Sequence, residues 1–173
     1  KEVEKRSPDL PEEVKQDVAE RIGISAIRYT MLSVEPVKGV NFVWDRVLNF
    51  EMNSAPFINY AYTRGLGILR KLGRVEKPKG HDKLTEPADE ALILHLSKLP
   101  GIFASAADNL DPTVLTGYAT ELAQRFHEFY EKSDISHLAD EELKQQRTAL
   151  VMAVRDVLRN LADVLGLKLA ERM

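Results

Sequence analysis

Phe57, Tyr60, Arg64, Gly67 and Lys71 fall 3, 4, 3 and 4 residues apart, the spacing that lines side chains up on one face of an α-helix. Two rings, one position without a side chain and two cations on a line suggest a chemistry of stacking and charge. Rings can take unstacked bases, cations can take phosphates, and the bare position lets another backbone come close. An ordinary alternative stands beside this one: Phe57 and Tyr60 belong to the core, and Arg64 pairs with an acid. Composition and spacing leave both open.

The helix that must carry these residues is well bounded. Ser54 is a good N-cap and Pro56 is tolerated in the first turn. Gly73 is the residue type that most readily takes a left-handed C-terminal conformation. Ile58, Ala61, Ile68, Leu69 and Leu72 form a second, apolar face suited to a core. Charge is also concentrated here. Between Arg64 and Lys83 stand Arg64, Arg70, Lys71, Arg74, Lys77, Lys79 and Lys83 against Glu76 and Asp82, so seven cations less two acids give +5 and leave −8 for the rest of a chain of net charge −3. A basic segment on an acidic body suits local phosphate binding, or equally a solvated loop whose charge keeps it soluble.

The chain has 173 residues, 44% hydrophobic and 29% charged, which is enough for one globular domain with its own core. No apolar run is long enough for a membrane span, and no signal-peptide pattern opens the chain. The absence of cysteine excludes disulfides, thiolate metal sites and a cysteine nucleophile, and fits a reducing cytoplasm.

Taken in order, Pro11, Glu12 and Glu13 start a short helix with Val14, Val18 and Ile22 on its apolar stripe, and Gly23 is expected to end it. A second helix follows with Ile24, Ile27, Met31 and Tyr29 at helical spacing, broken by Pro36 and Gly39. Val40 to Trp44 reads as a short extended piece, Asp45 to Met52 as one or two helical turns, and Trp44 as a core anchor. Beyond the basic loop, Thr85 is expected to cap a helix carrying Leu92, Leu96 and Leu99. Leu99-Pro100-Gly101 reads as a turn before a helix from Ile102 to Asn109. Asp111-Pro112 starts a long helix with Leu115, Tyr118, Leu122, Phe126, Phe129 and Tyr130 on its apolar face. Asp140, Glu141 and Glu142 open the last one, which carries Leu150, Val154, Leu158 and Leu165 and stops at Gly166. With no repeat and no strands to pair, the pattern predicts an all-α bundle of about six to eight helices.

Catalytic machinery is hard to find. His81, His95, His127 and His137 have no partner at ligand spacing, no HExxH or bundle-type ExxH pair occurs, and no phosphate-binding loop or nucleophile elbow is present. The carboxylates cluster at helix starts, where capping explains them. No catalytic residue, metal or cofactor is expected within the chain itself.

Several segments resemble one family. AIRYTML (Ala26 to Leu32) is similar to the Asp-Ala-Leu-Arg motif of the helical anticodon-binding domain of class I aminoacyl-tRNA synthetases. APFINYAYTR (Ala55 to Arg64) resembles the Gly/Pro-Tyr-x-Gln-Tyr-Ala-x-x-Arg helix of arginyl enzymes. ELAQRFHEFYEK and the last helix with its terminal ERM resemble the same group. Ser25 stands where the family usually has Asp, Phe57 where Tyr is commoner, and Asn59 where Gln is usual. The HIGH-type and KMSK-type ATP signatures are absent, so the chain looks like the C-terminal piece of a longer enzyme. Residues 1–22 are then the end of the connection from the catalytic domain, and 23–173 the bundle.

The resemblance implies recognition of tRNA-Arg through its anticodon, in a cytoplasmic parent that uses ATP with Mg in its catalytic domain to join arginine to tRNA. It implies an anticodon pocket of Phe57, Tyr60, Tyr130 and Met173. Arg64, Lys71, Arg70 and Arg74, from the stripe and the local charge, are the expected phosphate contacts. Arg28, Arg147 and Arg155 lie within matching motifs, with pairing inside the bundle equally open. The expected partners are tRNA-Arg and the parent's catalytic domain, without membrane or metal. A helical protein-interaction module derived from a synthetase is the rival reading, and a small metal-bundle enzyme a weaker one.

Overall fold

Local capping chemistry sets the ends of the main helices. The computed structural model describes residues 2–6, 8–51, 53–73 and 76–172. In chain order the helices are α1 (Glu2–Arg6), α2 (Glu12–Leu32), α3 (Trp44–Val47), α4 (Ala55–Leu72), α5 (Pro87–Ser97), α6 (Leu99–Asp108), α7 (Thr113–Lys132) and α8 (Glu141–Leu165), with a 3-10 turn at Ile135–His137 before α8. The described residues contain no strand, and the all-α bundle is the observed fold.

Ser54 caps α4 by accepting a hydrogen bond from the Phe57 amide at 3.2 Å. Gly73 closes it at φ 65°, a conformation that other residues adopt only with strain. Pro112 takes the cap position of α7, and Asp111 just before it accepts from the Thr113 amide at 2.9 Å and from its hydroxyl at 2.6 Å. Asp140 accepts from the amides of Glu142 and Leu143 at the start of α8. At its end, Gly166 takes the left-handed conformation at φ 67°.

α4, α7 and α8 pack together at the centre, with α5 and α6 against α7 and α2 across α4. Ile58, Leu122, Phe126, Phe129, Val151, Leu158 and Leu161 are fully buried between them. Side chains of this kind contribute roughly 2–5 kcal/mol each against truncation to alanine. Within this core Arg147 grips Asp89 with two of its three guanidinium nitrogens, Nε to Oδ1 at 3.1 Å and Nη2 to Oδ2 at 3.0 Å. That pair ties α8 to α5. His95 stacks on Tyr118 with centroids 4.3 Å apart; the Tyr118 hydroxyl donates to His95 O at 3.0 Å, and His95 Nε2 lies 3.2 Å from Tyr118 O. Burial pushes the Tyr118 phenol up to about 12 and lowers the His95 imidazole. His95 is thus a core residue bonded to backbone.

Five local expectations need correction. Gly23 does not end a helix: α2 runs unbroken from Glu12 to Leu32. Glycine costs a helix interior only about 1 kcal/mol, and Val18, Ile22, Ala26 and Tyr29 keep one buried stripe in phase across it. That stripe also differs from the expected one, since Ile27 and Met31 are exposed while Ser25 and Ala26 face inward. Trp44 is no core anchor. It is 60% exposed and meets Phe42 edge-on with centroids 4.9 Å apart, while Val47 and Phe50 take the buried positions of this segment.

Prolines account for the other two corrections. Glu86, not Thr85, occupies the cap position of α5, with φ −72° and ψ 145°, because Pro87 drives the residue before it into extended backbone. Leu99-Pro100-Gly101 is the first turn of α6, where the missing amide hydrogen of Pro100 is harmless. One residue, Lys98, links α5 to α6.

Candidate nucleic-acid interface

The polar face of α4 opens onto a cleft of about 600 Å³, completed by the end of α7, the 3-10 segment and the C-terminal tail. Tyr60, Arg64, Gly67, Arg70 and Lys71 line it from α4, Tyr130 and Glu131 from α7, Ser133 to Ser136 from the connecting segment, and Glu171 and Arg172 from the tail. Gly67 has nothing within 4 Å of where a Cβ would stand, so the floor of the cleft is bare.

The guanidinium carbon of Arg64 lies over the Tyr130 ring, 4.1 Å from its centre, and 5.6 Å from the centre of Tyr60. Its Nε is buried and has no hydrogen-bond partner among the described residues. Stacking of this kind contributes about 0.5–2 kcal/mol and fixes the plane of the cation. Among the described residues, Arg64 is therefore held by two rings and not by an acid. His127, on α7, stands edge-on to Tyr60, with centroids 5.2 Å apart, and edge-on to Phe57 at 5.8 Å. Burial lowers the His127 imidazole, which keeps it neutral between the rings; Glu131 opposes that shift and Arg64 adds to it.

The aromatic residues are not equivalent. Tyr60 and Tyr130 are half-buried at the cleft. Phe57 is 4% exposed and belongs to the core, bordering instead a separate cleft of about 260 Å³ whose rim carries Glu51, Glu128 and Glu131. The cations divide as well. Arg64, Arg70 and Lys71 reach the main cleft, and Arg70 Nη2 also donates to Glu171 O at 2.6 Å. Lys83 instead pairs with Asp140 at 2.6 Å and Glu142 at 3.5 Å. Arg74 and Met173 lie outside the described residues.

Arg147 serves the core through Asp89, Arg28 donates to Gly166 O, and Arg155 pairs with its neighbour Asp156 at 2.7 Å. His127, Arg172 and the 133–136 segment were not among the site residues read from sequence. An amphipathic pattern records no such neighbours from distant parts of the chain. Among the described residues no group of three or more histidines and acids could hold a metal ion, and none of the helices is long and apolar enough to cross a membrane.

The fold and site define a helical-bundle domain with an aromatic and cationic cleft. Residues 58–173 match the family model described as the DALR anticodon binding domain, and the chain belongs to that family. It is 42% identical over 176 residues to the arginine–tRNA ligase of Pyrococcus abyssi, covering 99% of this chain and 28% of that protein. It is 40% identical over 174 residues to that of Methanocella arvoryzae, covering 99% and 30%. The arginyl-tRNA synthetase of Thermus thermophilus superposes with a TM-score of 0.90 at 29% identity, covering 99% of this chain and 29% of that one. The chain thus spans under a third of the length of these relatives.

Proposed function

We propose that this chain recognises the anticodon loop of tRNA-Arg, as the C-terminal part of an arginine–tRNA ligase that joins arginine to tRNA in an ATP-dependent reaction. The observation that carries this reading is the Tyr60–Arg64–Tyr130 cluster in an open cleft. Anticodon bases are single-stranded and can be splayed onto rings, and Lys71 and Arg70 stand along the same helix to meet phosphates. The name of the relatives supports the choice of tRNA. Phe57 acts from behind, through His127, on the placing of Tyr60. Arg74 and Met173 remain proposed contacts to the backbone and the anticodon.

ATP, with Mg, belongs to the parent's catalytic domain, which lies outside this chain, and the parent works in the cytoplasm. Residues 1–22 lead in from that domain. The second half of this segment, in α2, already packs Val18 and Ile22 against Phe50 and Ala170. The chain alone is non-catalytic.

The test is a titration with tRNA-Arg and with a tRNA of unrelated anticodon, at two salt concentrations, repeated with Tyr60→Ala and Tyr130→Ala. Preference for tRNA-Arg should weaken in each variant by about 1–3 kcal/mol. Salt-sensitive binding without preference would leave only a basic surface. A protein-interaction module is the second reading, favoured by the exposed Phe42, Val43 and Trp44. Binding of a protein at that patch, with no affinity for RNA, would establish it instead.

A further inference from the structure

Beyond Gly166 the chain leaves α8 and runs without regular structure to the cleft. Even so, Leu167 and Ala170 are 5% and 2% exposed. Backbone groups buried this way need hydrogen-bond partners; the Leu167 amide still donates to the Ala162 carbonyl of α8 at 2.8 Å, but the residues after it have left the helix. Side chains of α2 and α4 serve them instead. Ser25 Oγ accepts from the Lys168 amide at 2.7 Å and donates to the Lys168 carbonyl at 3.1 Å. Asn59 Oδ1 accepts from the Ala170 amide at 2.7 Å.

Two features make these bonds more than general stabilisation. Asn59 directly precedes Tyr60, so the group that fixes the tail and the ring that faces the cleft share one turn of α4. The next residues of the tail, Glu171 and Arg172, line the cleft with Tyr60 and Arg64. The hydroxyl of Ser25 serves both the N–H and the C=O of Lys168, whereas an ionised carboxylate at that position could only accept. Positions 25 and 59 are also two at which this chain departs from the pattern its sequence resembles.

We infer that Ser25 and Asn59 are positioning residues for RNA binding: they strap residues 167–170 against α2 and α4 and so set the tail wall of the Tyr60–Arg64–Tyr130 cleft. The inference rests on the anticodon reading of that cleft. Neither residue touches the RNA. Each acts through the tail.

The test combines amide hydrogen exchange with binding of the tRNA-Arg anticodon stem-loop, using the 173-residue chain and its Asn59→Ala, Ser25→Ala and Ser25→Thr variants. In the unaltered chain the Lys168 and Ala170 amides exchange slowly. Asn59→Ala speeds exchange at Ala170, and Ser25→Ala at Lys168, by about tenfold, the effect of one lost hydrogen bond. The amides of α7 and α8 keep their protection, affinity for the stem-loop falls by a similar factor, and Ser25→Thr, which keeps the hydroxyl, retains both properties. Fast exchange at Lys168 and Ala170 in the unaltered chain would overturn the inference. So would full RNA affinity in variants whose tails exchange quickly. If Asn59→Ala does not fold, Ser25→Ala acts from a different helix and carries the same test. Protected tail amides without any binding of the stem-loop would reject the anticodon reading, and with it the positioning role, while leaving the strap itself as a structural feature.

Discussion

The guanidinium of Arg64 lies 4.1 Å from the centre of the Tyr130 ring, joining α4 to α7 across the mouth of the cleft. Arginine suits this place because its planar, weakly hydrated cation can stack while its edge still donates hydrogen bonds. Arg64→Lys keeps the charge and loses the plane. Affinity for the tRNA-Arg anticodon stem-loop should fall by about 1 kcal/mol while the dependence on salt changes little. A titration over a salt series separates the two effects.

Lys71 is exposed at the end of α4, and the anticodon reading gives it a phosphate. Lys71→Ala should therefore weaken binding to related and unrelated stem-loops alike. It should also reduce the slope of log affinity against log salt by about 0.7, the value for one single-strand phosphate contact. An unchanged slope would remove Lys71 from the interface.

Asp89 and Arg147 form the buried ion pair of the core, at 0% and 8% side-chain exposure. Removing either partner strands the other charge away from water. Asp89→Ala should cost about 3–5 kcal/mol in urea unfolding, and pairing it with Arg147→Met should recover much of that loss. A double variant as unstable as the single one would show that shape, and not stranded charge, sets the cost.

His95 favours its neutral form in the fold because burial lowers its pKa from 6.5, with Glu121 opposing the shift and Arg125 and Lys98 adding to it. The unfolded chain takes up a proton as the pH falls through 6.5, and the folded chain does so only at lower pH. Stability is therefore whole above the unfolded value and is lost as the pH falls below it. His127 shifts in the same direction. Urea midpoints should drop between about pH 7 and 5, and the drop should shrink in His95→Gln. A midpoint flat over that range would contradict the burial argument.

Ser54 is 1% exposed. It accepts from the Phe57 amide and donates to the Asn49 carbonyl. Ser54→Ala removes the cap from the helix that carries the cleft and should cost about 1–2 kcal/mol. Ser54→Asp, which keeps the acceptor but cannot donate to Asn49 once ionised, should recover only part of it. Thermal unfolding of the two variants measures the difference.

Caps and stripes were legible because their causes are local. Ser54, Gly73, Asp140 and Gly166 bound helices, and Asp111 braces the start of α7, through bonds and torsions reaching only a few residues. The apolar faces of α7 and α8 repeat often enough to identify an all-α bundle. The line from Tyr60 to Lys71 was legible for the same reason, and all its members from Tyr60 onward do face one cleft.

Tertiary structure decided what depends on partners distant in sequence. A three-residue step leaves Phe57 and Tyr60 on the same side of α4, and only the arrival of α7 determines that Phe57 is covered while Tyr60 stays at the cleft. Gly23 looks like a stop until Val18, Ile22, Ala26 and Tyr29 are seen buried in phase on both sides of it. Trp44 has the composition of an anchor, but its one-turn helix gives the buried place to Val47. Ser25 and Asn59 carry no periodic signal toward the tail, 143 and 111 residues away in the chain. Short-range chemistry specifies where helices begin, end and turn an apolar face. Which polar side chain meets which backbone is decided only when the bundle closes and the buried groups must find partners.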